Sequence, residues 1–159
     1  MFAQSLLEST PPNGVLFVMG DNDSYPVWYA QQVNRTRPDV AVITVPLLPT
    51  RWYRRQIASR YQLLDSADVQ KYPGSLKTVL HMAERARARA RPVVASISMT
   101  PDERAKISAM WRATGMVYLE GAPGIDAERS DAIATRVERS LGDRRVRDRD
   151  RRRRRQRFR

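Results

Sequence analysis

Three short apolar runs constrain this chain more than any other feature: VLFVM at Val15–Met19, VAVITV at Val40–Val45 and VVASIS at Val93–Ser98. The first is continuous rather than alternating, the pattern of a strand covered on both faces, and the second is a buried strand rich in β-branched residues. Stretches of helical length separate them. Strands spaced in this way cannot close as hairpins; they pair in parallel through right-handed crossovers, with helices on both sides of the sheet.

The intervening segments carry helix signals. Phe2–Glu8 reads as a short helix with Ala3, Leu6 and Leu7 on one side, broken by Pro11–Gly14. A helix is expected from Pro26 to about Asn34, capped by Asp23 or Ser24, because proline suits a first turn. Arg35–Asp39 is a turn. Thr50 is placed to cap a helix from Arg51 to about Tyr61, and Asp65–Gly74 reads as irregular. Ser75–Arg91 continues as a helix on Leu76, Val79, Leu80 and Ala83. Thr100-Pro101-Asp102-Glu103 is a start signal with a capping box, and Ile107, Met110 and Trp111 form that helix's apolar stripe up to Gly115. Met116–Leu119 is a fourth strand. Asp126 opens a last helix with Ile133, Val137 and Leu141 in register and Gly142 as its stop. The expected fold is α/β: a small Rossmann-like three-layer sandwich over residues 1–142, with about four parallel strands in the order 2-1-3-4.

Charge separates the remainder. The net charge is +12, and residues 143–159 hold 11 arginines and 3 aspartates, net +8. The run Arg151, Arg152, Arg153, Arg154 and Arg155 cannot pack a core, so 143–159 reads as a disordered Arg-rich tail. Such a segment attracts polyanions, nucleic acid or anionic headgroups alike. Equally, 26 arginines against 3 lysines is the bias that GC-rich coding produces. The absence of cysteine excludes disulfides and Cys-based zinc sites. The longest charge-free stretches run about a dozen residues, short of the ~20 of a spanning helix, and no signal peptide is visible.

In an open parallel sheet, ligands collect beyond the carboxyl ends of the strands where the strand order reverses. Gly20-Asp21-Asn22-Asp23 leaves the first strand at that point. Asp21, Asn22 and Asp23 could hold a divalent cation or sugar hydroxyls; alternatively, they form a turn and cap a helix. Trp28-Tyr29 and Trp52-Tyr53 follow two strand ends, as platforms for a sugar ring or as clamps of helix on sheet. No G-x-G-x-x-G or P-loop pattern is present, so no nucleotide cofactor is expected. His81 reads as a packing residue, and Ser96 and Ser98 lack a nucleophile elbow. No catalytic set is identified.

Within Leu6–Gln56, the pieces PPN-x-VLF, GDND-S-Y-P-x-WY-x-Q-x-V, RPDV and LL-x-T-x-WY-x-x-Q together resemble the soluble C-terminal part of the membrane-protein family catalogued as domain of unknown function 2723. That family is similar to transmembrane protein O-mannosyltransferases of the GT-C type. This chain has Pro49 and Arg51 where family members often carry Asn and Asp, and it lacks their membrane region. The resemblance therefore implies an accessory, extracytoplasmic domain rather than a transferase centre. Its partners would be a membrane-embedded glycosyltransferase-like region or neighbouring subunit, and a glycan or acceptor. The competing expectation is polyanion binding through the tail.

Overall fold

A computed structural model describes residues 2–121, 124–135 and 139 of the chain. Val137, Leu141, Gly142, the 142/143 boundary and Arg151–Arg155 lie outside the described residues.

The elements run α1 (Phe2–Ser9), β1 (Val15–Val18), α2 (Asp21–Gln32), β2 (Ala41–Thr44), a 3-10 turn (Val45–Leu47), α3 (Arg51–Tyr61), α4 (Ser66–Gln70), α5 (Ser75–Ala88), β3 (Val93–Ser96), α6 (Pro101–Ala105), β4 (Trp111–Thr114), β5 (Val117–Glu120) and β6 (Gly124–Ile125). Residues 127–135 are helical. The sheet order is β2-β1-β3-β5-β4-β6.

The left half is the expected one. β1 pairs in parallel with β2, Val15 opposite Ala41, and with β3, Val15 opposite Val93. All three strands are buried throughout. In-register parallel pairing sends alternate residues to the same face. Val15, Phe17, Ala41, Ile43, Val93 and Ala95 meet Tyr53 and Ile57 of α3 and Val79 and Met82 of α5. Leu16, Val18, Val42 and Val94 meet Leu6 and Leu7 of α1 and Val27 and Ala30 of α2. Because β1 leads outward to β2 and β2 leads back across β1 to β3, right-handed crossovers place their helices on opposite faces.

The right half corrects the expectation of four parallel strands. Among the described residues the sheet is mixed and six-stranded: β5 is antiparallel to both β3 and β4. β4 therefore runs in the direction of β3 but one position further out, and the hairpin back to β5 fills the gap between them. The expected helix over Ile107, Met110 and Trp111 ends at Ala105 instead, and Trp111 opens β4. Its indole Nε1 donates to the Arg104 and Ser108 carbonyls at 3.1 and 3.0 Å, tying the connection to the strand. The hairpin pairs Thr114 with Val117, so Gly115 and Met116 form a two-residue turn. Gly115 has φ +57, the positive value that such a turn requires at its first central residue. A Cβ there would also lie 2.5 Å from Ser9 Oγ and 2.8 Å from Ile133 Cδ1.

Two smaller corrections concern helix starts. Asp65–Gly74 is not irregular: α4 begins after a reciprocal capping box, the Asp65 carboxylate accepting from the Asp68 amide and the Asp68 carboxylate from the Asp65 amide. α2 begins at Asp21 with Gly20 at the cap, leaving Pro26 inside the helix, and neither Asp23 nor Ser24 caps it. The Ser24 hydroxyl donates to the Gly20 carbonyl at 2.7 Å. By contrast, the Thr100/Glu103 capping box forms as expected, and Asp126 Oδ1 accepts from the Arg129 amide at 3.0 Å where the last helix opens.

Candidate functional site

The carboxyl ends of β1 and β3, where the strand order reverses, are occupied by the chain itself. Asp23 Oδ2 accepts from Ser96 Oγ at 2.6 Å and from Ser98 Oγ. Asp23 and Ser96 are buried, while Asp21 and Asn22 stand exposed on the first turn of α2. Both acids favour that turn, whose unpaired amides carry the positive end of the helix dipole. On the other face, Met19, Val45, Val79, Met99 and Ile107 line a mainly apolar hollow of about 170 Å3. Among the described residues no three His, Cys, Asp or Glu side chains form a group that could hold a metal ion.

A larger cleft, about 260 Å3, lies along the outer edge of β2 where α2 and α3 approach from opposite faces. Trp28, Gln31, Trp52, Tyr53, Gln56 and Tyr61 are among its lining residues, with Val42 beneath. Three of the four residues in the two aromatic pairs thus come together. Trp28 lies 6.3 Å from Tyr53, centroid to centroid, and Tyr53 lies 5.5 Å from Trp52 in an edge-on arrangement. Tyr25 extends the row, edge-on to Trp28 at 6.0 Å. Tyr29 stands apart, exposed on α2 outside the cleft. Trp52 is 57% exposed and Tyr53 only 4%, so one pair divides its work: Tyr53 clamps and Trp52 presents an open ring.

The polar tips of these rings have a structural task. β2 is the edge strand of the sheet, and an edge exposes unpaired amides and carbonyls. The Tyr53 hydroxyl accepts from the Thr44 amide at 2.7 Å and reaches the Val42 carbonyl at 3.4 Å. Tyr61 lines the cleft beside Val42, and Gln31 Nε2 donates to the Val40 carbonyl at 3.0 Å. Burial raises the pKa of both phenols, so they remain neutral donors and acceptors. α3 and α2 thereby close the edge with side chains in place of a further strand.

Sequence reasoning missed Gln31, Gln56, Arg60 and Tyr61 here. The signal available was the spacing Tyr53, Ile57, Tyr61, one stripe of α3. It also missed why RPDV and PPN recur together in the resemblance. The Arg37 guanidinium donates to the Leu7, Thr10 and Pro11 carbonyls, capping the end of α1, and pairs with Asp39 at 2.8 Å. Asp39 Oδ2 in turn accepts from the Asn13 amide at 2.9 Å. The Arg37 hydrogen bond holds the Asp39 carboxyl at a pKa of about 2. His81 is not the apolar packing residue expected. It is half-buried, its Nδ1 lies 3.1 Å from Asp68 Oδ1, and its Nε2 accepts from Arg85 Nε at 2.9 Å.

Residues 1–78 match the family model described as TMEM260-associated domain 2. The match covers everything from α1 into α5 and so the whole aromatic cleft. This half of the chain is similar to a domain associated with a membrane-protein family. No curated protein matches the chain, and no solved structure does. Among the described residues no helix is long and apolar enough to cross a membrane.

Proposed function

We propose that this chain is an accessory, extracytoplasmic domain of a membrane-embedded glycosyltransferase-like protein of the O-mannosyltransferase-like kind, and that it holds a glycan or glycosylated acceptor in the cleft beside β2. The observation that carries the proposal is the aromatic row Tyr25–Trp28–Tyr53–Trp52, of which Trp28, Tyr53 and Trp52 line a cleft of about 260 Å3 while Tyr25 and Trp52 lie open to solvent. Sugar rings present an apolar face that stacks on such rings, while Gln32 and Gln56 at the lining supply amide donors and acceptors for hydroxyls. Asp21 and Asn22, exposed at the start of α2, lie on the same helix as Trp28 and can add polar contacts to an extended glycan. The match to a membrane-protein-associated domain and the GDND…WY resemblance both support a membrane-embedded partner region. The role is binding rather than catalysis.

Two of the chain's three tryptophans line the cleft, so tryptophan fluorescence reports on it directly. Titration with mannose- and glucose-containing oligosaccharides is expected to give a saturable change in the intact chain. Trp52→Ala is expected to remove that change at unaltered thermal stability, because the indole is largely exposed. A panel without response, or an unchanged response in Trp52→Ala, overturns the proposal.

A further inference from the structure

A second cavity, about 540 Å3, opens at the other end of the sheet, beside the amino ends of the three parallel strands. Its lining includes Asn13, Asp39, Arg60, Tyr61, Arg89 and Arg91. Three guanidinium groups converge there with few protein acceptors. Arg91 Nε donates to the Asn13 carbonyl at 2.8 Å, Arg89 Nη1 donates to the Gln62 carbonyl, and Arg60 lies over the Tyr61 ring at 5.4 Å. Each guanidinium has five N–H donors, and among the described residues none of the three forms an ion pair. Asp39, the one acid in the lining among the described residues, is already engaged: Arg37 Nε and Nη2 donate to its two oxygens at 2.8 Å each. Partial burial, with Arg89 adding to it, pushes the Arg91 pKa down although Tyr61 and Asp39 act in the opposite direction.

The backbone supplies an independent sign. α5 ends in a Schellman arrangement, the Arg91 amide bonding the Ala86 carbonyl and the Ala90 amide the Arg87 carbonyl, both at 2.9 Å. Helices ordinarily put glycine at the left-handed position of this motif. Here it is Ala90, with φ +51, and Asn13 across the cavity has φ +56. This conformation costs an alanine about 1 kcal/mol or more, and it sets Arg89 and Arg91 on either side of the turn, both lining the cavity.

We propose that Arg60, Arg89 and Arg91 form a binding site for a phosphate group, carried either by a soluble ligand or by the headgroup of an anionic lipid. Guanidinium forks match the tetrahedral oxygens of phosphate through paired, charge-assisted hydrogen bonds. The site goes beyond the glycan reading; it meets the aromatic cleft only at Arg60 and Tyr61 and stands or falls separately. The competing role is that Arg60 and Arg89 merely complement the negative C-terminal ends of α3 and α5, which predicts no site-specific ligand response.

The test is an amide-resolved NMR titration of the full chain, with inorganic phosphate replacing chloride at constant ionic strength. Saturable shifts are expected at Asn13, Ala90 and Arg91. The double variant Arg60→Gln/Arg89→Gln is expected to weaken them about tenfold or more. Arg60→Gln alone, at an exposed residue whose side chain makes no hydrogen bond among the described residues, provides a folded comparison and is expected to weaken them to a smaller extent. Vesicles of phosphatidylglycerol with phosphatidylcholine are compared with phosphatidylcholine alone. Broadening of the same amides only with the anionic lipid assigns the headgroup, and a response to free phosphate without it assigns a soluble ligand. Shifts confined to residues 143–159, or equal shifts in the variants, overturn the site.

Discussion

Replacing Tyr53 with phenylalanine isolates one oxygen atom. The ring remains, so its contacts with Trp28, Trp52 and the α3 face of the core are unchanged. What disappears is the hydroxyl that accepts from the Thr44 amide at 2.7 Å and reaches the Val42 carbonyl at 3.4 Å. Thr44 is 3% exposed, so its amide is left buried without an acceptor, and the outer edge of β2 is partly reopened. A buried donor stranded in this way costs about 1–3 kcal/mol, far more than the near-zero cost of deleting both partners together. The 3.4 Å contact is long and adds little. For a domain of this size about 1–3 kcal/mol corresponds to a melting temperature lower by roughly 2–12 °C. Urea unfolding followed by circular dichroism is the direct assay: the midpoint is expected to fall while the slope stays constant, because the surface exposed on unfolding is the same. A loss below about 0.5 kcal/mol would refute the assignment of Tyr53 as the group that closes the edge strand.

Three further outcomes follow from the same structure. Gly115→Ala is expected to destabilise by about 2–4 kcal/mol in the same unfolding assay, combining a left-handed φ with an overpacked contact at Ser9 and Ile133; a cost under about 1 kcal/mol would mean that the β4–β5 turn is built differently. Arg54→Met is expected to lose about 2–4 kcal/mol, because this buried guanidinium donates to the Leu48, Pro49 and Val69 carbonyls, and a neutral result would show that water satisfies them. The carboxyls of Asp39, held by Arg37, and Asp65, held by the Asp68 amide and Arg85, both titrate near 2 instead of 3.8. A depressed pKa contributes stability above the unfolded value that is lost as pH falls through the folded one. The unfolding midpoint should therefore be insensitive to these two groups above about pH 4 and decline between about pH 4 and 2; a flat profile across that window contradicts both contacts.

The three parallel strands were legible as short, mainly apolar runs of strand length, since a strand buried on both faces shows little of the polar alternation of a half-exposed one. Their parallel pairing followed from the helices between them, and the Thr100–Glu103 capping box could be read from four adjacent residues because every atom in it is local. The aromatic pairs were visible as residue types, but their meeting was not. Trp28 and Tyr53 belong to helices on opposite faces of the sheet, brought together only because β2 is an edge strand that both flank.

Tertiary structure decided where local pattern was degenerate. Ile107, Met110 and Trp111 fit a helical period, yet Arg112–Thr114 pair with β5, because the ladder and the turn at Gly115 outweigh a short helix's marginal propensity. Asp23 looked like a capping residue or a ligand, and became the acceptor for two serines 73 and 75 residues away in the chain. Arg37 and Arg54 each serve several backbone carbonyls, a role that no local pattern announces. Hydrophobic periodicity is a property of neighbours in sequence, so it identified the core strands. The role of a polar side chain depends on which distant backbone group would otherwise be buried without a partner, and only the folded arrangement supplies that partner.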